Sequence, residues 1–546
     1  MAEDESVPAP EVVALPSEKN EDVSNGDEIV RWSDGIEYRQ MAFDSHIPVI
    51  TVQQPGSMID IPPCPDLSRY QSPYQWSATR KNLMTYLACS VNGVAAYASG
   101  SYASPEDQLR QKWGVSHAVF MLGITVFTIG FGVAPMILAP FSEINGRRPV
   151  FVLTGILFVA MQAACALTPT FSGMLVCRFL MGVGGSTFST MVGGILADMW
   201  SSKERNTPMV LFTGATLFGT GLGPLVSGVI AQRLLWRWVF YVQIISSGLI
   251  VGLVAAFFSE TRGSTILEQK AKAINQWYDK LDALGVYLQD DRPTSDSQHP
   301  YHRIRYTTNN PKPSVFKMIG HSLYRPMHML VTEPVVMSFS AWISFAWAIL
   351  YLQFGSVPLI FSTSYNFSLE QTGYVFTSQC VAAIISTVLH IRQEPFMLKY
   401  YPSKMTTPEG RLLPTCIMAT FLPISLFWLG WTCFPSIHWI LPTIAVGIAT
   451  MGIFSIFLAV FNYTADAYGP YTSSALAASG VCRNLLGGAF PLVVHPLYLN
   501  LGFQAASSLL GAVAVVLTLV PVVLVWKGPR IRERSRIAKE FVGKEG

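Results

Sequence analysis

Residues 117–168 read HAVFMLGITVFTIGFGVAPMILAPFSEINGRRPVFVLTGILFVAMQAACALT, and this stretch decides the fold. It consists of two long apolar segments joined by a short turn that contains Glu143, Arg147 and Arg148. A helix of about 20 apolar residues crosses the roughly 30 Å of hydrocarbon in a bilayer. The stretch therefore predicts two membrane-crossing helices joined by a charged turn at one membrane surface.

Further apolar segments of similar length lie on both sides of this pair. The composition agrees, because 50% of the 546 residues are hydrophobic and 13% are charged, whereas a soluble domain carries about 25% charged residues. This composition excludes a soluble globular protein, a disordered chain and collagen. Twelve segments, numbered here as spans one to twelve, have approximate limits of 82–102, 117–139, 149–168, 173–196, 209–231, 239–258, 334–360, 371–391, 412–432, 437–461, 471–494 and 503–526.

A polar break between spans six and seven divides the spans into two sets of six. We therefore predict an all-α membrane protein whose twelve transmembrane helices form two pseudo-symmetric six-helix halves. The N-terminus contains twelve acidic and three basic residues within its first 45 positions and shows no periodicity, which is typical of disorder. The predicted regions are a disordered N-terminus (1–75), two halves (76–258 and 334–526), a central loop (259–333) with a charged helix-like piece at 267–288, and a basic tail (527–546).

Positively charged residues orient the protein in the membrane. Most of the Lys and Arg residues between spans lie in turns on the same side as both termini, and cytoplasmic loops are the ones enriched in these residues. We therefore expect both termini in the cytoplasm, although one miscounted span would move the C-terminal tail outside. The basic tail is typical of a segment beside anionic lipid, so we expect no nucleic-acid partner.

An internal repeat relates the two halves. Asp198 ends span four and is followed by Pro224 in span five. Asp466 ends span ten and is followed by Pro491 in span eleven, and the two Asp-to-Pro spacings differ by a single position. The matching positions predict a duplication with parallel halves, an arrangement known in membrane transporters.

The charged turn (Glu143–Arg148) combines an acid, a glycine and two arginines. Glu143 can accept hydrogen bonds from an arginine or offset the N-terminus of a helix in the other half, and such a contact would close one face. The alternative is a solvated loop that only orients the protein. Glu143, Gly146, Arg147 and Arg148 resemble the signature of the major facilitator superfamily, with Ala139 in place of its first glycine. The resemblance implies a gating role.

Two more spans resemble this superfamily. Arg178 lies inside span four, where a charge is costly unless it faces the protein interior. The alternatives to a functional role are that its side chain snorkels to the membrane surface or forms a purely structural pair. We expect it to face a central cavity and to contact span one, with Asn92 as the nearest polar group. Span five resembles the proton-antiporter signature of the superfamily, and the matching residues are Gly219, Gly223, Pro224 and Gly228. The alternative is that these glycines only allow close helix packing.

The region of span eleven resembles the fungal drug:proton antiporters with twelve spans. The matching stretches are Asn462-Tyr463, Asp466-Ala467-Tyr468, Ser474–Ala478, Arg483-Asn484 and Gly487–Leu492. Three residues are candidates for coupling, namely Arg178, Asp198 and Asp466, but no carboxylate lies in the middle of a span, and no proton carrier is identified. Polar groups within the spans are candidates for a substrate pocket, and these are Asn92, Tyr97, Gln353, Gln379, Arg483 and Asn484. The alternative is that they only pack against neighbouring helices.

The leading hypothesis is a proton-coupled exporter of a hydrophobic or amphipathic metabolite or drug in a plasma membrane. An exporter or exchanger of a smaller polar solute, such as an organic acid or a polyamine, and a non-transporting sensor remain alternatives. No metal-ligand spacing or paired carboxylates occur within the spans, so we expect no enzyme activity, no metal and no cofactor beyond the proton gradient. We expect a monomer in the bilayer. Asn366 begins an N-x-S sequon in an outside loop and is a candidate glycosylation site that can also remain unmodified.

Overall fold

A computed structural model describes residues 30–33, 36–45, 62–201, 204–284, 288–289, 301–308, 315–405 and 407–534. The chain forms two compact units. The larger unit contains the described residues within 76–262 and 313–546, and the smaller unit contains those within 1–75 and 263–312.

The larger unit contains the predicted spans as long helices. Spans one to six are Ala78–Gly100, His117–Asn145, Arg147–Leu167, Phe171–Met199, Asn206–Arg233 and Arg237–Phe257. Spans seven to ten are Pro334–Tyr365, Leu369–Tyr400, Pro408–Thr432 and Ile440–Tyr468. Spans eleven and twelve form one element, Thr472–Arg534, which is broken at Gly502. The helices start and end within a few residues of most predicted limits, but spans two, seven, eight, ten and twelve extend further.

Ten described helices are long and apolar enough to cross a membrane. One of them is the broken element, which supplies two spans, and span one completes the set of twelve. The predicted fold class is therefore confirmed for the membrane unit. Two glycines make the tight connections possible, because Gly146 (φ 93°) and Gly502 (φ 79°) adopt backbone conformations that are strained for other residues.

Shorter helices occupy the connections. Glu106–Trp113 lies between spans one and two, and Val315–Thr332 precedes span seven. We call the membrane side that contains Gly146 the turn face and the other side the opposite face. Because the helices alternate in direction, the turn face also contains the start of span one and the connections after spans four, eight and ten.

The smaller unit contains a four-stranded sheet in the order β1-β2-β4-β3. The strands are β1 (Val30–Ser33), β2 (Ile36–Gln40), β3 (Leu288–Gln289) and β4 (Tyr301–Thr307), and β2 pairs with β4 in parallel. Helix Gly263–Ala283 lies where the sequence predicts a charged helical piece. Its buried side chains Ile274 and Leu281 belong to the same apolar cluster as Ile304 and Tyr306 of β4.

This sheet adds strands outside the membrane unit and corrects one expectation. The prediction of disorder for residues 1–75 is wrong for the described residues 30–33, 36–45 and 62–75. The physical reason is that β2 obtains its hydrogen-bond partners from β4, which follows all of spans one to six in the chain. Residues 1–29 and 46–61 of the predicted N-terminus and residues 535–546 of the predicted tail lie outside the described residues.

Candidate functional site

Arg147 is the centre of a charge cluster at the turn face. Its buried guanidinium donates to the hydroxyl of Ser142 at 2.8 Å and to the carboxylate of Asp198 at 3.3 Å. Glu143 lies further away at 3.7 Å, and its side chain is 42% exposed. Both predicted acids therefore contact Arg147, but Asp198 at the end of span four is the nearer and more buried partner.

Glu260, directly after span six, completes this cluster. Its two carboxylate oxygens accept hydrogen bonds from the backbone N–H groups of Arg147 and Arg148 at 2.9 and 3.0 Å. A carboxylate at a helix N-terminus is favourable because it satisfies free N–H groups and complements the helix dipole. Sequence reasoning did not identify this role of Glu260, although its position as an acid closing a span was a usable signal.

The second half repeats the cluster. Asp466 at the end of span ten accepts from Arg411 at the start of span nine, at 2.8 Å. The offset in sequence from Arg147 to Arg411 is close to the offset from Asp198 to Asp466, so the two arginines occupy similar places in their halves. A second pair joins buried Glu409 to Arg532 at 2.8 Å. The duplication inferred from sequence thus extends to the ion pairs that tie together the spans of each half.

Glu143 also faces the second half. It lines a cavity of about 420 Å³ together with Arg325 and with Ser473 and Ser474 at the start of span eleven. A carboxylate near the beginning of a helix is favoured by the helix dipole. This placement agrees with the idea that Glu143 acts on the other half rather than only on its neighbour Arg147.

The string in span five packs against span one. A Cβ atom added to Gly219 would lie 2.2 Å from the carbonyl oxygen of Gly93, and one added to Gly223 would lie 2.6 Å from that of Tyr97. Pro224 lies beside Gly100 of span one. Gly228 instead approaches Gly373 at the start of span eight. The small residues therefore permit backbone contacts within the first half and between the halves.

The halves meet along two seams. The first seam joins spans five and eight, from Asn206, which donates to Glu394 at 2.7 Å at the turn face, to Arg233, which donates to Glu370 at 2.6 and 2.8 Å at the opposite face. Gly221 lies between these ends, next to Gln379. The seam is thus packed in its middle and fastened by polar contacts at both ends.

The second seam joins spans two and eleven. Thr125 donates to the carbonyl of Gly488 at 2.8 Å, and Gly132 lies against Asn484. At the opposite face the rings of His117 and His495 stack with centroids 3.6 Å apart. Since both seams are in contact, the residues between the halves are enclosed.

Arg178 lies in this enclosed centre and is fully buried. Its Nε donates to the carbonyl of Gly123 at 3.1 Å and its Nη1 to that of Ala98 at 3.2 Å. The guanidinium also lies 4.5 Å from the ring of Tyr102 and 4.6 Å from that of Phe127. The expected inward orientation and contact with span one are found.

The named partner of Arg178 is wrong. Asn92 instead donates to the hydroxyl of Thr216 in span five. Arg178 uses backbone carbonyls, because these are available where Gly123 leaves room beside the helix, whereas the amide of Asn92 is already engaged with a nearer hydroxyl.

Arg483 of span eleven is buried in the same region. Its guanidinium lies 4.7 Å from the ring of Trp347 and 5.0 Å from that of Phe457. The next residue, Asn484, donates to the carbonyl of Gly480 in its own helix at 2.8 Å. Tyr351 lies within electrostatic range of both Arg178 and Arg483. One arginine from each half therefore lies near the same buried tyrosine.

The remaining pocket candidates divide into two groups. Gln353 and Gln379 bond to each other between spans seven and eight and are buried. Tyr97 is buried and lines an apolar cavity of about 660 Å³ between spans one, five, six and eight, together with Phe218 and Leu222. The structure thus places Tyr97 in a separate cavity and packs Arg483 against aromatic side chains of spans seven and ten.

Asn366 ends span seven in a left-handed conformation (φ 54°) and is exposed. Asparagine tolerates this conformation better than most residues, so the position has a structural reason as well as a sequon. Whether it carries a glycan stays a prediction.

A sequence model of the Major Facilitator Superfamily matches residues 85–491. This chain belongs to the major facilitator superfamily. Among its relatives, it is 30% identical to the transporter paaT of Penicillium rubens over 86% of this chain and 82% of that protein. It is also 30% identical to the multidrug transporter FLR2 of Candida glabrata over 86% and 78% of the two chains, and to the efflux pump FUB11 of Gibberella moniliformis over 85% and 75%.

Solved structures of the superfamily share the fold. The xylose transporter XylE of E. coli in a partially occluded inward-open conformation aligns with a TM-score of 0.56 at 15% identity, over 82% of this chain and 98% of that one. The human organic anion transporter MFSD10 aligns with a TM-score of 0.52 at 16% identity, over 82% and 100%. As a member of the superfamily, the chain is a multi-pass membrane transporter of small molecules and not an enzyme.

Proposed function

We propose that the protein is a proton-coupled exporter of hydrophobic or amphipathic small molecules, of the metabolite or drug class, that works by alternating access. The names of the relatives, which include multidrug transporters and efflux pumps, support export. We further propose that it acts in the plasma membrane as a monomer, with both termini and the turn face in the cytoplasm. The distribution of Lys and Arg supports this orientation.

The observation that supports alternating access is the construction of the two seams. Each seam is packed by small residues in its middle and held at its opposite-face end by side-chain contacts, Arg233 with Glu370 in the first seam and His117 with His495 in the second. The first seam is also held at the turn face, where Asn206 donates to Glu394. Polar and ring contacts of this kind can separate in water without exposing much apolar surface. The enclosed centre then opens to one face while the other remains shut.

The proton requirement is tested with vesicles that contain the full chain. With an imposed pH gradient, vesicles should extrude the neutral dye Nile red faster than vesicles without the protein, and a protonophore should remove the difference. Extrusion that is unaffected by the protonophore would refute proton coupling. Extrusion that never exceeds that of protein-free vesicles would refute export of neutral lipophilic molecules.

Alternating access is tested by crosslinking the two halves at the opposite-face end of the first seam. Arg233→Cys combined with Glu370→Cys, joined by a flexible thiol crosslinker, should stop transport, because the opposite-face end can no longer separate. Each single cysteine variant treated with the same reagent serves as the matched control and should retain transport. Full activity of the crosslinked double variant would show that this face does not open there.

A further inference from the structure

Two buried arginines occupy the enclosed centre between the halves. Arg178 is 0% exposed and Arg483 is 2% exposed, and each comes from a different half. Within the described part of the chain, neither guanidinium forms an ion pair with a carboxylate. This differs from the turn face, where Arg147 and Arg411 both contact an acid.

The hydrogen bonds of these two arginines are also incomplete. Arg178 uses two of its nitrogens on backbone carbonyls, while its Nη2 has no partner among the described residues. The Nε of Arg483 likewise has no partner there, and its guanidinium is held against the rings of Trp347 and Phe457. Each half therefore contributes one buried guanidinium that has a donor without a partner among the described residues.

The energy of this arrangement points to a missing negative charge. An arginine in the middle of a membrane protein is costly, and intramembrane charges generally face a substrate path or pair with each other. Aromatic faces supply cation–π attraction, which offsets only part of the lost hydration. Both guanidinium groups lie within electrostatic range of Tyr351. An anion near Tyr351 would supply the missing negative charge and accept hydrogen bonds from the free donors.

We propose that this centre binds the carboxylate of an amphipathic organic anion, with Arg483 as the principal contact and Arg178 as the second positive charge. The apolar part of the anion would lie against the aromatic side chains of span seven, Trp347, Tyr351 and Phe354, and against Phe457 of span ten. This inference rests on the proposed function and narrows its substrate class. The same charges disfavour cationic solutes, so they argue against polyamines.

The direct test compares two probes with the same aromatic skeleton. 1-Naphthaleneacetate carries a carboxylate at pH 7, and 1-naphthaleneacetamide is its neutral analogue. Calorimetry on the purified full chain should give a Kd for the acid that is about tenfold or more lower than that for the amide, since hydrogen bonds to a charged group are the stronger ones. Equal Kd values, tighter binding of the amide, or binding of neither probe would overturn the proposal.

Variants locate the charge preference. Arg483→Gln should raise the Kd of the acid to within about twofold of that of the amide, while amide binding persists and shows that the site is folded. Arg483→Lys keeps the positive charge but loses the planar guanidinium, so it should retain part of the preference for the acid over the amide. This variant also provides the test if Arg483→Gln does not fold. The Arg392→Gln variant, at a position outside this centre, is the control and should bind both probes as the wild type does. A preference for the acid that survives in Arg483→Gln would refute the assignment.

The same probes separate this inference from the proposed export. Extrusion of acid and amide at equal rates by vesicles would overturn the anion site and leave the exporter standing. Tight binding of the acid without extrusion of either probe would overturn export and leave the anion site standing.

Discussion

The contact between spans one and five makes a sharp prediction about the glycines of span five. In Gly219→Ala, the new Cβ would lie 2.2 Å from the carbonyl oxygen of Gly93, and contacts shorter than 3.0 Å essentially do not occur. The two backbones must therefore separate by several tenths of an ångström, because neither atom belongs to a flexible side chain. Overpacking of this kind typically costs about 1–3 kcal/mol.

A control variant isolates the clash from the effect of alanine on the helix. Gly252 in span six is exposed, and an added Cβ would meet nothing within 4 Å. Gly252→Ala therefore gains only helix propensity, at most about 1 kcal/mol, and should keep the wild-type melting temperature or exceed it. Gly219→Ala should melt lower than Gly252→Ala, and Gly223→Leu should be more severe than Gly219→Ala.

Transport should follow the same order. A penalty of about 1–3 kcal/mol that falls on one of the two open states and not on the other changes the equilibrium between them by roughly 5–150-fold. We therefore expect efflux of Nile red by Gly219→Ala, normalised to protein at the membrane, to fall about fivefold or more, with Gly252→Ala unchanged. If Gly219→Ala matched the control in both melting temperature and efflux, spans one and five would not approach as described, and the reasoning would be refuted.

Three further predictions concern charged and titratable groups. Asp198→Asn should reduce the turnover rate more than Glu143→Gln does, because Asp198 is the nearer partner of Arg147. Both variants should keep substrate affinity within about twofold of the wild type, and a loss of affinity without a loss of turnover would contradict a gating role. Arg178→Lys should retain part of the pH-dependent efflux that Arg178→Ala loses, whereas wild-type pH dependence in Arg178→Ala would show a purely structural residue. His117 stacks on His495 with ring centroids 3.6 Å apart and contacts Glu106, so His117→Ala should loosen the opposite-face end of the second seam and change the efflux rate; an unchanged rate would exclude a role for this contact.

The sequence predicts the twelve spans well because each depends on a local property, the length of an apolar run. The charged turn and the repeat of Asp198 and Asp466 could also be found, since the residues concerned are close in sequence or recur at a constant offset. The residues that pair with these charged side chains could be predicted from the sequence only in part. The pair of Asp466 with Arg411 joins two spans of one half, and nothing local in either segment specifies it.

Contacts between the halves escape sequence reasoning for a different reason. His117 and His495 look like ordinary residues at span ends, and their meaning appears only when spans two and eleven are placed side by side. Arg483 was recognised as a polar residue in a span, but its relation to Arg178 depends on Tyr351 lying near both. The depth argument for Asn92 failed because depth alone does not specify which side of a helix a residue occupies.

The parallel pairing of β2 with β4 has a consequence for biosynthesis. Gln40 leaves the ribosome long before Tyr301, and at about 5–20 residues per second the intervening stretch takes roughly 13–52 s to translate. All of spans one to six are made in that interval, so the edge of β2 waits without its partner while the first half inserts. Strand edges left open in this way are sites for chaperones and proteases. A nascent chain arrested after span six should therefore be cleaved near residues 36–40, and the same sites should become protected once residue 307 has emerged.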